Sequence, residues 1–202
     1  VILALDTSGA IAVAVVDGDR TLAHTNEFAP RGHAELLSPM VQECLATAGV
    51  TRADVTAVVV GTGPGPYTGL RVGLMTARML AHAWQVPVRG VSSLDAMGAE
   101  HGGDVTVVTD ARRKEVYWAS YAHGQPLTAP QVTAPEDVAV HGEPVGRGAV
   151  LYGEHFPHAR HADPDPAWLA RVVTRRIGAG EQSFPTSPLY LRHPDVHQGP
   201  RV

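Results

Sequence analysis

The sequence has 202 residues, of which 44% are apolar and 18% are charged, so it can bury the core of one large domain or two small ones. Its formal net charge of −4 gives no general reason for strong binding to nucleic acid. Cys44 is the single cysteine, which excludes an internal disulfide and fits a reducing compartment. No apolar run approaches a membrane span and no stretch resembles a signal peptide, so we expect a cytoplasmic protein that contacts no membrane.

The first half of the chain predicts a three-stranded meander followed by alternating helices and strands. Short apolar runs bounded by turn residues indicate the strands, and apolar residues at helical spacing indicate the helices. Asp17-Gly18 marks a hairpin in the meander, and Gly49 ends the first helix. The predicted elements are strands at 1–5, 11–16, 21–28, 55–60 and 86–91 and helices at 33–48, about 68–84 and 92–100.

The second half repeats the order of elements in the first. In each half an apolar strand ends at an aspartate, Asp6 or Asp110, and is followed by a polar turn, a second strand, a glycine turn and a third strand. A repeat at about half the chain length indicates two related α/β units, residues 1–102 and 103–202, although two unrelated hairpins could also look alike. The predicted elements here are strands at 105–109, 115–122 and 127–132, a loop at 155–166 and a helix at 167–177.

The polar turns after the two equivalent strands are the first candidate site. A strand that ends in an acid and hydroxyl groups can hold phosphate and a hydrated metal ion, so two such turns facing each other could form a nucleotide cleft. The alternative is that these side chains only satisfy the hydrogen bonds of their own turns. The candidate contacts are Asp6, Thr7 and Ser8 in the first turn and Asp110 and Arg112 in the second.

The segment from Gly61 to Arg71 is the second candidate. Its glycines permit close approach of other groups, and Thr68 could cap the helix that follows. No Lys-Ser or Lys-Thr follows the glycines, so the segment lacks the phosphate-loop pattern. We expect a structural and docking turn, with ligand contact through Gly63, Gly65 or Thr68 as the alternative.

The helix after this turn carries two apolar faces. One face should meet the sheet, whereas the second, with Met75 and Met79, needs another helix of this chain or another subunit. The preceding helix offers a further apolar row, Leu36 and Met40. We expect a subunit interface on this pair of helices, formed by His33, Leu36, Leu37, Met40, Leu70, Arg71, Val72, Met75, Arg78 and Met79.

Five segments carry a resemblance to a known family, namely residues 1–8, 61–73, 86–94, 110–118 and 188–192, which include Gly-Thr-Gly-Pro-Gly-Pro-Tyr-Thr-Gly-Leu-Arg and Asp-Ala-Arg-Arg-Lys-Glu-Val-Tyr-Trp. Together they resemble the bacterial TsaB (YeaZ) family nearly end to end, with a poorer match at 134–186. The resemblance implies an α/β, actin-like ATPase (ASKHA) fold of two RNase H-like halves with mixed sheets flanked by helices. It also implies a role in making N6-threonylcarbamoyladenosine beside the tRNA anticodon.

The resemblance further implies a non-catalytic subunit. The paralogue TsaD transfers the threonylcarbamoyl group and binds metal through a His-x-x-x-His pair, whose positions fall here on Ser93 and Met97, so we expect no metal site and no activity of its own. The implied partners are TsaD in a heterodimer, the ATPase TsaE, tRNA indirectly, and a second copy in isolation. No cofactor is expected, with nucleotide only in the complex. The alternative function is an autonomous ATP-dependent kinase or ATPase using Asp6 and Asp110.

Overall fold

The computed structural model describes residues 1–28 and 33–192, and these form two mixed β-sheets with helices between and around them. In the first sheet an antiparallel meander is extended by parallel strands, in the order β3-β2-β1-β4-β5. Its strands are β1 Ile2–Asp6, β2 Ile11–Asp17, β3 Arg20–Glu27, β4 Ala57–Gly61 and β5 Val88–Val91. The predicted meander and its hairpin at Gly18, which has φ of 56°, are confirmed.

The helices are placed by the alternation of side chains along the first sheet. They are α1 His33–Ala48, α2 Tyr67–Trp84, α3 Ser93–His101, α4 Arg147–Leu151 and α5 Pro166–Gly178. Large side chains such as Leu3 and Val13 form one core with α1 and α2. Smaller ones such as Ala4 and Ala14 form a second core with α5 on the opposite face. Because successive strand residues point to opposite faces, both faces of β1, β2 and β4 are covered.

The second sheet repeats the arrangement of the first with shorter additions. Its strands are β6 Val105–Asp110, β7 Val116–Ala122, β8 Gln125–Pro126, β9 Gln131–Thr133 and β10 Glu143–Val145. β1 pairs antiparallel with β2 and parallel with β4, and β6 likewise pairs antiparallel with β7 and parallel with β10. The predicted duplication of elements is therefore confirmed, and the architecture is the actin-like ATPase fold of two RNase H-like units.

The third strand predicted at 127–132 is wrong in its extent. The chain instead makes two short pairings with β7, through β8 and β9. Between them the amides of Leu127 and Thr128 both donate to the carbonyl of Ser120, so the chain turns there. Pro126 and Pro130 have no amide hydrogen to continue a ladder, which limits each pairing to a few residues.

The chain crosses back between the two units after the second sheet. Helix α5 packs on the first sheet, and α3 lies against α5, β6 and β7, so it joins the cores of both units. By packing, residues 166–178 thus belong to the first unit although they follow the second in sequence, and the division at residue 102 stays a prediction. Within the described ranges, none of the helices combines the length and apolar character that crossing a bilayer requires.

Candidate functional site

Asp6 lies at the carboxyl end of β1 and is turned into the protein. It is 1% exposed. Its Oδ1 accepts hydrogen bonds from the amide and hydroxyl of Ser8, at 2.7 and 2.6 Å, and its Oδ2 accepts from the hydroxyl of Ser93 at 2.6 Å. Burial raises the pKa of the Asp6 carboxyl, and the three donated bonds oppose that shift without cancelling it. The carboxyl group therefore ties β1 to the start of α3 and does not face solvent.

The glycines after β4 allow other groups to pack closely against the chain. A Cβ on Gly61 would lie 1.9 Å from Oδ2 of Asp6, and one on Gly65 would lie 2.7 Å from the carbonyl oxygen of Ser8. One on Gly73 would lie 2.2 Å from Oγ1 of Thr7, and that hydroxyl donates to the carbonyl of Gly69 at 2.8 Å. These contacts fill the space around the turn with the protein's own atoms and support the structural interpretation of the segment.

The predicted cap at Thr68 is wrong. Helix α2 begins at Tyr67, with Pro66 as its N-cap, so Thr68 lies inside the helix with an exposed side chain. The carbonyl of Pro66 accepts the amide of Leu70, so the helix begins two residues earlier than it would with Thr68 as its N-cap. Gly63 has φ of +92°, and its carbonyl accepts from the hydroxyl and amide that open α3.

A cavity of about 240 Å³ lies between the two units where the two polar turns meet. Ser8 lines it from the first turn, and Asp110 and Arg112 line it from the second, as the sequence predicts. Asp6, Thr7, Gly63, Gly65 and Thr68 do not line it. Of the predicted contacts, the cavity therefore brings together only three.

The cavity wall also contains an ion pair that sequence reasoning missed. Nη2 of Arg147 lies 2.7 Å from Oδ2 of Asp163, and its Nε donates to Oδ1 at 3.1 Å. The same guanidinium lies 4.0 Å above the ring of Phe28. All three residues line the cavity, and their separation in sequence gave no pattern from which to find them.

The second polar turn differs from the first in being accessible. Oδ1 of Asp110 accepts the amide of Arg112 at 2.8 Å, and its Oδ2 lies 3.3 Å from Nη1 of the same residue. Arg112, Arg113 and Lys114 are exposed and have φ of 62°, 56° and 61°. A left-handed residue other than glycine costs about 1–2 kcal/mol, so three in succession make this loop unusual.

Helix α2 presents its two methionines to solvent, with Met75 51% and Met79 66% exposed. Leu36 on α1 is also exposed, and Val72 is half-buried. Three other predicted interface residues, Leu37, Met40 and Leu70, are wrong, because they are buried in the core between the helices and the first sheet. The side chain of His33 lies outside the described part of the chain.

Arg71 and Arg78 fix a C-terminal segment along α2. The Arg71 guanidinium lies 4.0 Å above the ring of Tyr67, and Nε donates to the Tyr190 hydroxyl at 3.3 Å. Nε of Arg78 donates to Oγ1 of Thr186 at 2.9 Å. The amide of Leu189 donates to the carbonyl of Thr62 at 2.8 Å, so the segment lies beside the glycine turn. Residues 188–192 carry part of the family resemblance, but no pattern in the sequence predicts this position for them.

Ser93 and Met97, for which the resemblance predicts the positions of the paralogue's metal ligands, are both inside the protein. Ser93 is 1% exposed and donates to Asp6, as described above. Met97 is fully buried and packs in the core that α3 shares with the second sheet. Nowhere in residues 1–28 and 33–192 do three His, Cys, Asp or Glu side chains gather closely enough to hold a metal ion.

Comparison with known proteins places this architecture in a family. The Escherichia coli protein described as "tRNA threonylcarbamoyladenosine biosynthesis protein TsaB" is 34% identical over 204 residues, which cover 96% of this chain and 80% of that protein. The chain belongs to the TsaB (YeaZ) family. The structure of YeaZ from Pseudomonas aeruginosa superposes with a TM-score of 0.80 at 31% identity, covering 94% of this chain and 99% of that one.

Two further matches agree with the family. A protein of Mycobacterium tuberculosis described as uncharacterised is 46% identical over 172 residues, covering 82% of this chain and 78% of that protein. The family model described as "TsaD: tRNA N6-adenosine threonylcarbamoyltransferase" matches residues 25–152. The chain is thus similar in sequence both to TsaB proteins and to the transferase family.

Proposed function

We propose that this chain acts in tRNA threonylcarbamoyladenosine biosynthesis as a non-catalytic subunit that binds TsaD and holds it in a competent state. The observation that carries the proposal is the second apolar face of α2. Met75 and Met79 stay exposed although the opposite face of the same helix, with Leu70 and Leu74, is buried in the core. An apolar face left open on a core helix is typical of an interaction surface, and flexible methionine suits such a contact.

The buried residues of α3 support the non-catalytic part of the proposal. Ser93 and Met97 offer a hydroxyl and a thioether where the paralogue has imidazoles, and both side chains are engaged in internal contacts. Asp6, on which an autonomous ATPase would depend, has both carboxyl oxygens occupied by hydroxyl and amide donors. The chain would therefore contribute surface and stability to the complex, and nucleotide would bind only once the complex has formed.

Further partners follow from the same placement. We propose that TsaE binds the assembled pair, that tRNA reaches this chain through the complex, and that α1 and α2 form a homodimer when TsaD is absent. We also propose that the chain works in the cytoplasm, because the proposed pathway modifies tRNA. The exposed apolar side chains of the two helices, from Leu36 on α1 to Met79 on α2, would form the contact in both the heterodimer and the homodimer.

The experiment is to place a charge on this face. Met79→Glu should raise the Kd for TsaD by at least about tenfold, because an unpaired carboxylate would be buried in an apolar contact. Leu127→Glu is the matched control, since Leu127 is 54% exposed on the second unit and should leave the Kd unchanged. Binding is measured by calorimetry, and threonylcarbamoylation of unmodified tRNA is reconstituted with and without the chain.

Two results would contradict the proposal. Modification that proceeds at the full rate without this chain would remove the activating role. A Met79→Glu variant that co-elutes with TsaD and restores full modification would remove the interface. ATP turnover by the isolated chain that disappears in Asp6→Asn would instead favour the autonomous ATPase.

A further inference from the structure

A groove of about 460 Å³ lies beside the central cavity, between the first turn of α2 and the loop that joins β6 to β7. It is distinct from the exposed methionines of α2, which do not line it. Rings and guanidinium groups make up most of its lining, namely Tyr67, Tyr117, Tyr190, Arg112, Arg113 and Arg192. Neither the proposed TsaD contact nor the turn at Asp6 accounts for this combination.

Positive charge is concentrated around the groove on a chain whose net charge is −4. Of 16 Lys and Arg residues in the sequence, five lie here, because Lys114 follows the lining arginines in the loop and Arg71 stacks on Tyr67. Asp110 lies beside Arg112, and Glu115 is paired with Arg192. Basic side chains therefore gather around this groove although the chain as a whole carries net negative charge, and such a cluster is a feature that a polyanion recognises.

The loop at one wall of the groove has a backbone that turns its basic side chains outwards. Arg112, Arg113 and Lys114 all adopt the left-handed conformation that disfavours residues with a Cβ. The loop is closed at its base by the hydrogen bond from the amide of Ala111 to the carbonyl of Glu115, at 3.0 Å. Strained non-glycine conformations persist where the surroundings hold them, and they cluster at binding sites. Here the strain accompanies three consecutive exposed cations.

The other wall provides aromatic surface next to these cations. The rings of Tyr67 and Tyr190 stack with centroids 4.9 Å apart and remain 43% and 37% exposed. The Arg71 guanidinium adds a further stacked plane at 4.0 Å from Tyr67. Exposed rings alternating with guanidinium groups are the surface on which unpaired bases stack while the backbone phosphates meet the cations.

We propose that this groove binds an unpaired segment of the RNA that the complex modifies, with phosphates on the loop from Arg112 to Lys114 and a base near Tyr67 and Tyr190. This proposal rests on the proposed function, since it names that RNA as the occupant. An acidic protein segment would be bound by the cations alone, whereas RNA would also use the stacked tyrosine rings and guanidinium groups. The presence of these rings therefore favours RNA as the occupant. The groove also shares Asp110 and Arg112 with the central cavity, so bound RNA would reach the junction of the two units.

The test uses unmodified tRNA carrying a fluorescent label, with the chain alone and with the chain in its complex with TsaD. Arg113→Glu/Lys114→Glu should weaken tRNA binding by about tenfold or more and lower the slope of log K against log salt by about 1–2, because phosphate contacts are lost. Arg20→Glu/Arg52→Glu is the matched control. It makes the same charge change at exposed positions near the opposite end of the first sheet and should leave both quantities unchanged.

A second measurement uses the fact that Lys114 is the only lysine in the sequence. Acetylation of Lys114, followed by mass spectrometry, should be slowed several-fold by saturating tRNA, and the protection should disappear as salt is raised. Tyr190→Leu keeps every cation, and a loss of tRNA affinity in this variant would support the stacking part of the proposal. An unchanged affinity in Tyr190→Leu would overturn that part.

The outcomes separate this proposal from the proposed function. If modification requires the chain but Arg113→Glu/Lys114→Glu binds tRNA like wild type, the groove proposal is overturned and the subunit role stands. If that variant keeps its tRNA affinity and loses TsaD, the groove is a protein contact. If modification does not need the chain although tRNA still protects Lys114, the RNA groove stands and the activating role fails.

Discussion

The two polar turns of this protein occupy equivalent places in two related units, yet they have opposite environments. The turn after β1 is sealed, with Asp6 1% exposed and bonded to Ser8 and Ser93. The turn after β6 is open, with Asp110 at the wall of both the cavity and the groove. One strand-turn pattern has thus produced a structural junction in the first unit and a candidate binding loop in the second.

The difference arises from what each unit packs over the end of its first strand. In the first unit Gly61 leaves room for the Asp6 carboxyl, and α3 brings the Ser93 hydroxyl to it. In the second unit the parallel strand β10 has three residues and is followed by α4, which has five. That short cover leaves the loop from Arg112 to Lys114 exposed. An acid at the end of a strand is therefore informative about chemistry only when its covering elements are known.

The largest expected effect on stability comes from filling the space beside the Asp6 carboxyl. Gly61→Ala should destabilise the protein by about 3 kcal/mol or more, because the new Cβ would overlap Oδ2 of Asp6. Gly103→Ala is the control, since its Cβ would meet nothing closer than 3.9 Å, and it should change stability by less than about 0.5 kcal/mol. Urea unfolding measures both. Equal stability of the two variants would contradict the sealed environment of the first turn.

A direct comparison of the two aspartates gives the next largest effect. Asp6→Ala should cost about 2–3 kcal/mol, because the Ser8 amide and two hydroxyls would remain buried without an acceptor. Asp110→Ala should cost less than about 1 kcal/mol, since its partner Arg112 is largely exposed. Both variants are measured by the same denaturant titration. If Asp110→Ala proved the more damaging, the assignment of structural and accessible roles would have to be exchanged.

The free energy of unfolding should depend on pH differently in the wild type and in the Asp6→Asn variant. The pKa of the Asp6 carboxyl is raised by burial, so the folded state holds the proton more tightly than the unfolded chain. The contribution of this carboxyl to stability is therefore fully present below its pKa in the unfolded chain, about 3.9. That contribution is lost as the pH rises through its pKa in the folded state. The stability of wild type relative to Asp6→Asn should fall as pH increases above about 4. A difference that stays constant with pH would show that the carboxyl is solvated.

The smallest expected effect is a gain in stability at the open turn. Lys114 has φ of 61°, so Lys114→Gly should relieve backbone strain and stabilise the protein by about 0.5–1 kcal/mol. Lys114→Ala removes the same charge but keeps the Cβ, so it should leave stability nearly unchanged. Thermal unfolding of the two variants measures the difference. Identical melting temperatures would mean that the loop carries no strain at this position.

Part of this description was determined by the sequence. The runs that end at Asp6 and Asp110 predicted both first strands, because apolar alternation and turn residues act over short distances. Periodicity also located α1, α2 and α5 closely. The same local patterns could not resolve β8 and β9, where two prolines interrupt the pairing.

Tertiary structure alone decided which of these residues are exposed to solvent and which are buried. The sequence placed Leu70 and Met75 on two faces of one helix but grouped both at an interface, and only the position of the first sheet separates a buried leucine from an exposed methionine. The groove of Tyr67, Tyr190 and Arg113 depends on the return of residues 184–192 along α2, which no periodicity records. Secondary structure follows from nearby residues, whereas exposure depends on segments that are distant in the chain.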